Sequence, residues 1–120
     1  MLGLALPVEI FLCTEPADMR YGFDRLAQRV EEQAQRDVLA GGLFVFFNRR
    51  RDRVKLLYWD TDGLALWAKR LESGTFQLPS MDAEATSVEL SATQLALILG
   101  GIDLASVRQR KRYQKRRARC

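Results

Sequence analysis

Arg49, Arg50, Arg51, Arg53 and Lys55 place five cations within seven residues, diluted only by Asp52. Guanidinium groups match phosphate bidentately, and lysine adds a compact point charge. Phe46, Phe47, Tyr58 and Trp59 flank the cluster, and rings that reach the surface can stack on bases. At the tip of a β-hairpin such a cluster would grip a nucleic-acid backbone. The plainer reading is a solvated polar turn, with most of the aromatics in the core.

A second cluster is denser. Val107 to Cys120 (VRQRKRYQKRRARC) carries Arg108, Arg110, Lys111, Arg112, Lys115, Arg116, Arg117 and Arg119 and no acid. An unbalanced block of like charge repels itself and seeks a polyanion, without sequence preference. If helical on DNA, Arg108, Arg112, Arg116 and Arg119 would share one face. The alternative is a tail that solubilises, or docks weakly on an acidic body. Both clusters make DNA the expected partner.

The third group is acidic. Asp60 and Asp62 precede Lys69 and Arg70, and paired carboxylates beside a lysine could hold Mg²⁺ in a nuclease. Their spacing fits no metal motif. Asp62-Gly63 reads better as a tight turn and Asp60 as a strand end. The chain has no histidine, which removes imidazole acid/base catalysis, Ser-His-Asp and Cys-His nucleophiles, and imidazole zinc sites. Cys13 and Cys120 form no CxxC pair. Cys13 reads as a small buried hydrophobe and Cys120 as an exposed terminal thiol. No phosphate-binding, dinucleotide, nucleophile-elbow or HExxH motif is present. No catalytic residue, metal, cofactor or small-molecule substrate is expected.

These groups need a scaffold. The chain has 120 residues, 48% apolar and 28% charged, which suits one soluble globular domain. Its net charge of +4 is uneven. Residues 1–104 hold eleven Lys/Arg against fifteen Asp/Glu, a net of −4, and residues 105–120 add +8. Pro7 and Glu9 interrupt the apolar start, which also lacks the basic region of a signal peptide. No stretch reaches the roughly 18 apolar residues of a membrane span. A cytoplasmic location without membrane contact is expected.

Val8 to Thr14 reads as a strand ended by Glu15-Pro16. Asp18 stands where an N-cap belongs. Phe23, Leu26, Ala27, Val30 and Ala34 make one stripe, predicting a helix over about Met19 to Gln35. Gly41-Gly42 reads as loop. Leu43 to Asn48 is almost wholly apolar and predicts a central strand. Arg53 to Asp60 alternates, and the two runs form a hairpin across Arg49–Asp52. Leu64 to Leu71 is open between strand and helix; the alternation of Leu64, Leu66 and Ala68 favours strand, and the Ser73-Gly74 turn before Phe76-Gln77-Leu78 favours a meander. Ser87 to Leu90 reads as an edge strand. Ser91-Ala92-Thr93-Gln94 is a capping box ahead of a helix that Gly100-Gly101 stops. The core is expected to contain Phe23, Leu26, Val30, Phe44, Phe46, Leu56, Tyr58, Leu95 and Ile98. The fold class is α+β: a single small domain over residues 1–104, a largely antiparallel β-meander sheet with two packed helices, and a disordered basic tail over residues 105–120.

The order of several segments resembles a known family. Asp18-Met19-Arg20-Tyr21-Gly22-Phe23-Asp24-Arg25-Leu26 is similar to the D-M-R-x-G-F-D-x-L segment of the TnpB accessory proteins of insertion-sequence family sixty-six. These are distinct from the RNA-guided nucleases that share the letters TnpB. The resemblance continues through Leu43–Phe46, Asn48–Leu57 and Trp59-Asp60. It resumes at Gly63-Leu64 and Lys69–Phe76, and closes on Leu90-Ser91, Gln94-Leu95 and Gly101–Asp103. It implies a non-enzymatic accessory part in transposition of a bacterial mobile element whose transposase is a separate, larger protein. DNA and that transposase are the implied partners. The alternative is an adaptor that recruits the transposase without specific DNA recognition. The resemblance supplies no catalytic residue, and leaves Asp18, Arg20, Asp60 and Gly63 open between fold and function.

Overall fold

Strand-forming residues at Ile10–Cys13 make β1, and the amphipathic stripe at Phe23–Ala34 makes α1. Leu43–Phe47 is β2, Arg53–Asp60 β3, Gly63–Arg70 β4, Ser87–Leu90 β5 and Ala92–Gly100 α2. The computed structural model describes residues 9–103 and 108–109. The sheet order is β4-β3-β2-β1-β5. Only β1 and β2 are parallel, with Ile10 opposite Leu43, and α1 is the crossover that parallel pairing requires. The other three pairings are antiparallel. The outcome is the expected small α+β domain with a mostly antiparallel sheet and two helices.

The strand period of two explains the layers. Phe11, Cys13, Phe44, Phe46 and Leu57 face α1, where Leu26, Val30 and Ala34 cover them. Ile10, Leu12, Leu43, Val45, Phe47, Val54 and Leu56 face α2, which contributes Leu95, Ile98 and Leu99. All five residues of β2 are buried, as expected of a central strand covered on both faces. Phe11 stacks on Phe44 at 5.7 Å on the α1 side. Cys13 lies in that layer, and burial pushes its thiol up to about 12, so it is a core residue and not a nucleophile.

Several expectations need correction. The first helix begins at Phe23, with Gly22 as N-cap and no side-chain cap bond. Asp18 instead closes a turn: its carbonyl accepts from Tyr21 N at 3.0 Å, and its carboxylate from Arg20 N at 2.8 Å. Such local bonds compete with helix formation. Phe23 is 46% exposed and not core. Helical side chains lean towards the N-terminus, so the first residue of the stripe leans off the helix end. Tyr58 is half-buried at the margin of the α2-side cluster. Phe76–Leu78 is not a strand. Phe76 is buried as a loop residue against Phe47, ring centres 5.3 Å apart.

The capping box at Ser91 and Gln94 forms as expected, and Gly101 ends α2 at φ 85°, where a side chain would be strained. Ile102–Asp103 (β6) then pairs antiparallel with Arg108–Gln109 (β7). Within the expected disordered tail, Arg108–Gln109 is thus described as strand, and the remainder of residues 105–120 lies outside the described residues. That remainder includes Arg110, Lys111, Arg112, Lys115, Arg116, Arg117, Arg119 and Cys120. Among the described residues no helix is long and apolar enough to cross a membrane.

Candidate nucleic-acid interface

The turn between β2 and β3 is built around one asparagine. Asn48 Oδ1 accepts from Asp52 N at 3.1 Å and Arg53 N at 3.0 Å, while its Nδ2 donates to Asp52 Oδ1 at 2.7 Å. Arg51 N donates to Asn48 O at 3.0 Å, and Arg51 sits at φ 59°. That left-handed conformation is uncommon for a residue with a Cβ. Three further hydrogen bonds hold it. Phe76 N donates to Arg51 O at 2.7 Å, Leu71 N to Asp52 O at 2.8 Å, and Asn48 N to Arg53 O at 3.3 Å. Buried Phe76 thus ties the arginine turn to the core. The side chains of Arg49, Arg50, Arg51 and Arg53 are exposed on a backbone that is fixed.

Lys55 behaves differently. Its Nζ donates to Met19 O at 2.7 Å and Tyr21 O at 2.9 Å. Two of its three donors therefore close the Asp18–Tyr21 turn onto β3, and the expected phosphate contact is not its main engagement. Ala17 N donates to Phe47 O at 2.9 Å from the same segment. The Asp18 segment and the arginine turn are thereby neighbours, though about thirty residues apart in sequence.

A third segment joins them. The two-residue turn Thr61-Asp62 sets Asp60 opposite Gly63, and the register carries Lys69 opposite Val54 and Arg70 opposite Arg53. A groove of about 370 Å³ is lined by Met19, Arg53, Lys55, Ala68, Lys69, Arg70 and Glu72, among others. A second, of about 340 Å³, lies beside it and includes Asp18, Asn48, Arg49, Arg50 and Arg53. Arg53 and Met19 line both, so the two grooves form one cationic surface at one end of the sheet.

Acids at this end are engaged. Asp18 binds Arg20 with Nη2 to Oδ2 at 2.6 Å, and the guanidinium holds the Asp18 carboxyl down to about 2. The bond from Asn48 lowers the Asp52 carboxyl below its usual range. Glu72 accepts from Arg70 Nε at 3.1 Å and Nη2 at 2.9 Å, which directs Arg70 without neutralising its neighbours. Arg25 lies over the Tyr21 ring at 4.4 Å and Arg29 at 5.6 Å. The Arg29 hydrogen bond lowers the Tyr21 phenol below its ordinary value. These two arginines border the surface and do not face its grooves.

Lys69 and Arg70 were not expected beside the arginine turn, because the sequence places them nearer Asp60 and Asp62. The structure separates those groups. Asp60 and Asp62 sit at the turn end of an eight-residue strand pair and Arg70 at the other end, about 23 Å away along the strands. Among the described residues no three Asp, Glu or Cys side chains gather where a metal ion could be held. The missed signal was the two-residue turn: counting outward from it puts Arg70 across from Arg53. Of the tail cations, Arg108 alone is described, and only as backbone opposite Asp103.

The family model for IS66 Orf2-like proteins matches residues 8–109. The uncharacterized protein y4hO of Sinorhizobium fredii is 40% identical over 103 residues, covering 86% of this chain and 88% of the relative. The uncharacterized protein y4jC of the same organism is 33% identical over 110 residues, covering 92% of each. No solved structure matches the chain.

Proposed function

The chain belongs to the IS66 Orf2-like family, whose role is in insertion-sequence transposition, and from that premise we propose that it is a non-enzymatic accessory protein that binds DNA. The observation that carries this reading is the convergence of three distant segments on one end of the sheet. Six of the eleven cations of residues 1–104 belong to Arg49–Arg53 and Lys69-Arg70, although residues 1–104 are net acidic. Concentrating cations against the overall charge creates a local positive field that attracts phosphate.

The two basic regions divide the work. The tail supplies charge that neutralises phosphates wherever they lie, so its contribution is sensitive to salt and indifferent to base sequence. The Arg49–Arg53 turn presents guanidinium groups from a pinned backbone. A fixed geometry can favour one DNA shape, or a surface of the element's transposase, over others.

The test is a salt titration of binding to random duplex DNA. Arg53→Ala with Lys69→Ala should reduce the slope of log affinity against log salt by about one for each phosphate the variant no longer neutralises. Asp60→Asn, at the far end of the same strands, should leave it unchanged. If the double variant folds and binds like the parent, the cationic end is not a DNA surface. Co-purification with the transposase that survives tail deletion would then favour the adaptor reading.

A further inference from the structure

We propose that β4 is a pairing edge for a second copy of this chain, antiparallel and centred on Trp67. The strand ends the five-stranded sheet. Leu71 N donates to Asp52 O, which fixes the hydrogen-bonding phase of the β3–β4 ladder. Odd-numbered residues of β4 bond to β3, and Leu64, Leu66, Ala68 and Arg70 turn N–H and C=O outward. Among the described residues no backbone partner reaches those outward groups.

The strand is poorly protected against pairing. It is eight residues long (GLALWAKR), none of them buried, with Leu64, Ala65, Leu66 and Trp67 half-buried. The opposite edge, β5, has only four residues. A long apolar edge is a template for another strand, whereas a short one is not. Trp67 also lines an apolar groove of about 420 Å³ with Ala92, Leu95, Ala96 and Leu99 of α2.

Charge selects the occupant. β4 runs from the acidic Asp60–Asp62 turn to the cationic Lys69-Arg70 end. The chain's own tail, at +8, would meet like charge at that end. A second copy laid antiparallel meets opposite charge at both ends. A two-fold pairing centred on Trp67 joins Leu64 to Arg70 and Leu66 to Ala68 of the second copy, which uses every outward residue on both strands. Arg70 then lies diagonal to Asp62 of the second copy, on the same face. The two Trp67 side chains meet at a non-hydrogen-bonded position, where side chains approach most closely. The α1 faces stay on one side of the joined sheet, with a cationic end on each side of the axis.

Light scattering on the full chain tests this without DNA. The expected mass is twice the 13.7 kDa of one chain. Ala68→Pro removes an outward N–H that the monomer does not use, so it should keep the parent's circular dichroism and run at half the mass. A second arm fixes the register in a Cys120→Ser background: Trp67→Cys should cross-link across the axis on oxidation, and Ala65→Cys should not. Buried Cys13 does not compete. A parent that stays monomeric up to about 100 μM overturns the proposal, since dimer population follows concentration. So does a dimer in which Ala65→Cys cross-links as readily as Trp67→Cys.

Discussion

The two ends of the β3–β4 strand pair are made from the same ladder and behave differently. At one end Asp60, Thr61 and Asp62 form a short turn with exposed side chains, and neither aspartate carboxylate bonds to any described residue. At the other, Asn48, Leu71 and Phe76 together fix the backbone that carries Arg49–Arg53 and faces Lys69-Arg70. Charged residues of equal prominence in the sequence thus have unequal standing in the structure. What distinguishes them is the number of backbone constraints beneath them, which sets whether a charge has a defined position.

The largest effect should come from the core that both ends share. Leu26 is fully buried under α1, and Leu26→Ala should cost about 2–5 kcal/mol in chemical denaturation. A cost well below that would remove α1 as the roof over the sheet. Next is Lys55→Met, which leaves Met19 O and Tyr21 O without their charged donor and should cost about 1.5–3 kcal/mol. It should change DNA affinity little, because the ammonium is turned inward. A large drop in affinity at unchanged stability would return Lys55 to the binding surface.

Asn48→Ala removes three side-chain hydrogen bonds and should cost about 1–3 kcal/mol. Asp60→Asn should stay within about 0.5 kcal/mol. Equal costs would erase the contrast between the ends. The smallest effect concerns pH. Asp18 is held at about 2 in the fold against an ordinary 3.8. A depressed carboxyl stabilises above its unfolded value, and that contribution is lost as pH falls through the folded value. The Tm gap between the parent and Asp18→Asn should therefore be present at pH 6 and close as pH falls from about 4 towards 2. A gap independent of pH would mean the Asp18–Arg20 pair does not stabilise the turn.

Much of the fold was legible because periodicity carried it. The apolar run Leu43–Phe47 announced a central strand, and Ser91 with Gln94 announced α2. The start of α1 was not legible, because Asp18 has the carboxylate of an N-cap but uses it on Arg20. Phe76 looked like part of a strand, yet its burial against Phe47 serves a loop. The site was half legible. Composition drew the eye to Arg49–Arg53, but the inward turn of Lys55 depends on carbonyls more than thirty residues away. Lys69 and Arg70 needed the strand register, a long-range property that adjacency in sequence obscured.

The central claim is that DNA contacts one end of the sheet and not the other. Titrating a short random duplex into isotope-labelled protein, read amide by amide in NMR, tests it most directly. The expected shifts fall at Ala17–Tyr21, Arg49–Arg53 and Lys69–Glu72, weaken as salt rises, and exceed any at Asp60–Gly63. Shifts at Asp60–Gly63 or along α2, with the arginine turn unmoved, would contradict it.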